Sequence, residues 1–93
     1  MIEQEWEENP NWRNLEKSEA GDIVHLKHTS GFRRLVKVIV SSVKDNEVTG
    51  VVEAVFDWDT EWEITGGAIL NFVGKELTFK TRMVHRVIKK PVT

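Results

Sequence analysis

From residue 22 onwards, apolar and polar residues alternate with a period close to two, the spacing that places one face of a strand on a core. Ile23, His25 and Lys27 alternate with Val24, Leu26 and His28, which predicts a first strand over 22–28 with Val24 and Leu26 facing inward. Thr29-Ser30-Gly31 reads as a loop. A second strand follows from about Phe32 to Val43. Phe32, Val36, Val38 and Val40 share one face; Arg33, Leu35, Lys37 and Ile39 share the other. Lys44-Asp45-Asn46-Glu47 is a hairpin turn, rich in residues that tolerate tight backbone geometry. The third strand runs from about Glu47 to Trp58, with Val48, Val52, Ala54 and Phe56 alternating with Thr49, Val51, Glu53 and Val55. Residues 57–65 form a turn leading to a further strand that Gly66-Gly67 breaks, and residues 68–73 form a short helical turn or strand ended by Gly74. Glu76–Lys80 is a strand, Thr81-Arg82-Met83 a tight 3₁₀-like turn, and Val84–Lys89 the last strand, before Pro91.

The first 19 residues lack this alternation. Glu3, Gln4, Glu5, Glu7 and Glu8 suit a short helix, which Asn9-Pro10 would stop, so residues 1–19 are expected as an arm, helical or irregular, and 20–93 as one β domain. Trp6 and Trp12 are too large to leave in water without a reason, and are expected over one end of the sheet or on a second subunit. Strands two and three are apolar on one face and half apolar on the other. In an open sheet Leu35, Ile39, Val51 and Val55 would meet water, so the arm or a second copy of the chain should cover them. Trp6, Trp12, Leu35, Ile39, Val51 and Val55 are therefore the candidate interface residues.

Composition agrees with this pattern. Of 93 residues, 26 are the β-branched Val, Ile or Thr, against 10 that are Ala, Leu or Met, a balance that suits pleated sheets and excludes a helical bundle. The expected class is mainly β: a small, bent antiparallel sheet or barrel of about five strands. There is no cysteine, hence no disulfide framework and no thiolate metal site. The acidic start Met1-Ile2-Glu3-Gln4-Glu5 is unlike a secretory signal, and runs such as Val38-Ile39-Val40 are far too short to span a bilayer, so a cytoplasmic location with no membrane partner is expected.

Gly21-Asp22-Ile23-Val24 leads into a short strand, followed by a long bent strand and a hairpin. The chain ends with strand, one-turn bridge and strand over Leu77-Thr78-Phe79-Lys80-Thr81-Arg82-Met83-Val84-His85-Arg86-Val87-Ile88. Over residues 20–90 this order resembles a small SH3-like barrel of the KOW or Tudor-like kind. The resemblance implies that the first strand lies between the last and the second. Phe32, Trp58 and Trp62 fall where a Tudor-like cage would need aromatics, but the chain has no Tyr, and methyl-lysine binding is not carried over.

The net charge of −2 conceals four blocks. Residues 1–22 hold seven acids and two bases, residues 23–44 five bases and no acid, residues 45–63 seven acids and no base, and residues 64–93 six bases and one acid. On the implied strand order the basic segments are neighbours, so the Lys and Arg of 27–37 and 82–90 are expected on one face. That face is a candidate nucleic-acid surface, with Lys27, Arg33, Arg34, Lys37, Arg82 and Arg86 for phosphates and Phe32 for stacking. A basic edge that discourages strand pairing explains the same residues without a ligand.

His25 and His28, three apart on a strand, point to opposite faces and cannot chelate one ion, so no metal or other cofactor is expected. The carboxylates of Asp57-Trp58-Asp59 and Glu61-Trp62-Glu63 alternate with apolar residues as on a half-buried strand, which needs no catalysis. Nucleophile-elbow, P-loop and dinucleotide signatures are missing, which argues against an enzyme. The leading expectation is a non-enzymatic binding or assembly module that self-associates through apolar surface. The alternatives are a nucleic-acid-binding barrel using the basic face, or a small-molecule or peptide pocket beside Trp58, Trp62 and Phe72.

Overall fold

The computed structural model describes residues 6–28 and 34–91, with side chains throughout except at 68 and 69. Phe32 and Arg33 lie outside the described residues. The fold is mainly β: five antiparallel strands, β1 (Ile23–His28), β2 (Arg34–Lys44), β3 (Glu47–Asp57), β4 (Glu76–Lys80) and β5 (Arg86–Ile88), form one open sheet in the order β4-β3-β2-β1-β5. The first strand thus lies between the last and the second. Helical structure among the described residues is limited to 3₁₀ turns at Trp12–Asn14, Ala68–Phe72 and Thr81–Met83. None of it is long and apolar enough to cross a membrane.

Residues 57–65 do not enter a strand. They curl into a loop held to the end of β3 by the Phe56–Glu63 bridge and by hydrogen bonds from Ile64 N–H to Val55 O, from Asp57 N–H to Trp62 O and from Glu61 N–H to Asp57 O. Asp57 drives the curl: its Oδ1 accepts from the backbone N–H of Asp59 (2.8 Å) and Thr60 (3.1 Å), a local turn that competes with strand pairing.

The core lies on one face of the bent sheet. Val24 and Leu26 of β1 face Val38 and Val36 of β2, and Val40, Val48, Val52, Val55, Phe79, Val84 and Trp6 of the arm complete it. Burying each of these side chains contributes roughly 1.5–3 kcal/mol before conformational entropy is subtracted. Two bulges bend the long hairpin. Lys37 pairs with Ala54 but Val38 with Val52, leaving Glu53 as an extra residue in β3; Ser41 is the extra residue in β2. The Glu53 bulge shifts the alternation by one position. Val55, expected on the solvent face, is fully buried, while Ala54 and Phe56, expected inward, emerge on the other side.

The arm is irregular. Trp6 pairs with the end of β1 through a bridge to His28, and its ring is 5% exposed within the core, 5.1 Å from the His28 ring and 6.4 Å from Phe72. It is therefore a core residue and is not available to a second subunit. Asn9 N–H donates to Arg82 O, and its side-chain amide donates to Val84 O, so the arm crosses the β4–β5 turn.

Asp22, fully buried at the start of β1, fastens both ends of the domain. Its Oδ2 accepts from Lys89 Nζ (2.7 Å) and Glu19 N–H (2.8 Å), and its Oδ1 from Lys90 N–H (3.0 Å). Burial alone would push this carboxyl up, but those three hydrogen bonds and the Lys89 charge outweigh it and hold it below the usual carboxylate value.

Candidate functional site

The outer face of the sheet, opposite the core, carries the chemistry. Register places Arg86 of β5 and Lys37 of β2 on either side of His25 of β1. Lys27, two residues on, lies beside Leu35. The chain leaving β3 brings Trp58 to the same place, with Lys27 Nζ 3.7 Å from its ring centroid. Lys37 Nζ is likewise 4.5 Å from the centroid of Phe56, which the Glu53 bulge turned outward. His25, Lys27, Leu35, Trp58, His85 and Arg86, with Asn9 and Glu61 at the margin, line a cleft of about 370 Å³.

His25 is only 6% exposed, and its Nε2 has no hydrogen-bond partner among the described residues. Burial, reinforced by the positive charges of Lys37 and Arg86, pulls it down to about 4, so the ring is neutral at pH 7. His85 N–H donates to His25 O (2.9 Å), and the His85 ring is fixed by a 2.8 Å hydrogen bond from Nε2 to Glu7 O. The two histidines are neighbours in space, whereas His28 is on the core side against Trp6. Among the described residues no group of three or more His, Asp or Glu is arranged to hold a metal ion.

The charge blocks are interleaved rather than sorted into two faces, which corrects the expected bipolar layout. Arg34 pairs in register with Asp57, at 3.8 Å. Arg82 is bound to Glu8 of the arm (3.0 Å), Lys89 to Asp22 and Glu19, and Lys80 to Glu47. Two causes act: the arm lays the first acidic block along the last basic one, and the pairing of β3 with β2 and β4 sets Asp57 opposite Arg34 and Glu47 opposite Lys80. Of the expected nucleic-acid residues, Lys27, Lys37 and Arg86 therefore stay together without a carboxylate partner among the described residues, and Arg34 and Arg82 do not join them.

The other candidates separate. Ile39 (38% exposed) and Val51 (37%) lie on the outer face, in one cross-strand row with Ile23 and Ile88; Leu35 is half-buried in the cleft. Trp12 is half-buried along a second, more apolar groove of about 230 Å³ between the arm and β5, lined also by Leu15, Val84 and Val87. Trp58, Trp62 and Phe72 do not share a site. Trp58 borders the outer cleft, Trp62 is 77% exposed on the 57–63 loop, and Phe72 packs on Trp6 and His28 against the core. Sequence reasoning missed Phe56, because a bulge leaves no mark in the alternation. The strand order β2-β1-β5 is what brings His85, distant in sequence, beside His25.

Comparison with family models, with curated proteins and with solved structures finds no match to this chain.

Proposed function

We propose that this is a small binding module, of the SH3-like kind its strand order suggests, that takes an anionic ligand on the outer sheet face, with single-stranded nucleic acid as the ligand class. The observation that carries this is the set of three cations, Lys27, Lys37 and Arg86, without carboxylate partners among the described residues, two of them seated on the aromatic rings of Trp58 and Phe56. Single strands are held by such pairs: cations take the phosphates, and ring faces accept bases at about 1–3 kcal/mol per base. Neutral His25 adds a polar group to the cleft without adding charge repulsion between Lys37 and Arg86. The overall charge of −2 does not set the local balance, because the lining of the cleft carries one carboxylate, Glu61 at its margin, against Lys27 and Arg86.

The test is fluorescence anisotropy of a labelled single-stranded oligonucleotide as salt is raised. Three phosphate contacts give a slope of log K against log salt of about −2, and Arg86→Ala or Lys37→Ala lowers its magnitude by about 0.7. No binding at low salt, or binding indifferent to these substitutions, refutes the reading. A second reading, self-association, is favoured by one observation, the row Ile88, Ile23, Ile39 and Val51 across four strands. An Ile39→Lys variant that sediments identically to the parent chain at every concentration removes that row as an interface.

A further inference from the structure

We propose that the indole of Trp62 docks into the apolar groove between the arm and β5 of a second copy of this chain, joining copies head to tail. This goes beyond the outer-face readings and uses none of their residues. Trp62 is 77% exposed, yet its loop is firmly built. Asp57 Oδ1 accepts from Asp59 and Thr60 N–H, Glu61 N–H donates to Asp57 O (2.8 Å), Asp57 N–H to Trp62 O (2.8 Å), and Trp62 N–H to Thr60 Oγ1 (3.3 Å). A large aromatic carried on an already ordered backbone gives up only its own rotamer freedom on binding, and Trp is among the commonest anchors of protein interfaces.

The groove suits one such side chain. At about 230 Å³ it is smaller than the pockets of roughly 300–1,000 Å³ that take drug-sized ligands, and Trp12, Leu15, Val84 and Val87 make it mostly apolar. Charge decides the occupant. Trp62 stands among exposed Asp59, Glu61 and Glu63, in a stretch of the chain without a base. The exposed rim of the groove carries Arg13 and Lys17 against a single acid, Glu16. An acidic collar around an indole matches a mainly basic rim around an apolar slot. Knob and groove are different surfaces, so the contact is heterologous: each copy gives one knob and offers one groove, and copies add into rings or open chains.

Sedimentation velocity over a wide concentration range tests this with two variants and their mixture. The parent chain is expected to exceed its monomer mass of 10.8 kDa as concentration rises. Trp62→Ala lacks the knob, and the double variant Arg13→Glu, Lys17→Glu repels it; each is expected to associate at least tenfold more weakly. Both changes are at exposed side chains, and circular dichroism melts check that both variants fold. Mixed, they should form a one-to-one pair, because one supplies an intact groove and the other an intact knob. A parent chain that stays monomeric overturns the proposal, as does a Trp62→Ala variant that assembles like the parent, or a mixture of folded variants that stays monomeric. Assembly abolished by Ile39→Lys but not by Trp62→Ala also overturns it, in favour of the outer face.

Discussion

Replacing Gly50 by alanine should destabilise the domain well beyond what a single methyl group suggests. Gly50 is in β3, opposite Val40 of β2, between the Ser41 and Glu53 bulges where the hairpin bends most. A Cβ at this position would come within 2.5 Å of both Ile39 O and Val38 Cγ1. Neither neighbour can withdraw cheaply, because one is backbone in a central strand and the other a fully buried valine. Forcing a methyl group into such a site costs about 1–3 kcal/mol. Relief of glycine's conformational freedom returns only about 0.5–1 kcal/mol. The net loss is therefore about 0.5–2 kcal/mol if the strands yield partly, and more if they do not. For a domain of this size each kcal/mol lowers Tm by about 4–8 °C, so a drop of roughly 2–16 °C is expected. The assay is thermal melting by circular dichroism, with Gly66→Ala as the control. Gly66 has nothing within 4 Å of its virtual Cβ and no positive φ, so its variant should melt close to the parent. A Gly50→Ala variant that melts with or above the Gly66→Ala control would refute the steric reasoning.

Further outcomes follow from three buried groups, Trp6, Asp22 and His25. Trp6→Ala should cost about 3–5 kcal/mol by opening the core beside His28 and Phe72, measured by urea denaturation. Asp22→Ala should cost about 1–3 kcal/mol through the backbone N–H groups of Glu19 and Lys90 that lose their acceptor. The Asp22 carboxyl is held below its ordinary 3.8, so its contribution is complete above that value and lost as pH falls through the folded-state value; the parent's advantage over Asp22→Asn should fade there in an acid titration of Tm. His25 has the same sign over a higher window. Its folded value of about 4 lies below the ordinary 6.5, so the unfolded chain takes up the proton first and stability declines as pH falls from 6.5 to 4. A His25→Gln variant should flatten that decline, and an NMR titration placing His25 near 6.5 would contradict the cause given for it.

Much of this molecule follows from local alternation. Val24 and Leu26 point inward, the hairpin turns at Asp45-Asn46, and the 3₁₀ turn falls at Thr81–Met83, because a two-residue period, a pair of turn-forming residues and a short break each act over a few neighbouring positions. The mainly β class follows for the same reason: branching at Cβ restricts each residue's own backbone. Part of the candidate surface was legible in this way, since Lys27, Lys37 and Arg86 share a face once the strand order is known. Phases that depend on a partner strand were not legible. The Glu53 bulge turned Val55 inward and Phe56 outward, and only pairing with β2 determines where an extra residue is accommodated. The fate of the charges was equally hidden. Glu8 meets Arg82 across 74 positions and Asp22 meets Lys89 across 67. Contacts so distant in sequence come from chain path, and that path, together with the Arg34–Asp57 pairing of β2 and β3, left three cations together on the outer face, where the blocks in the sequence had suggested an entire basic side.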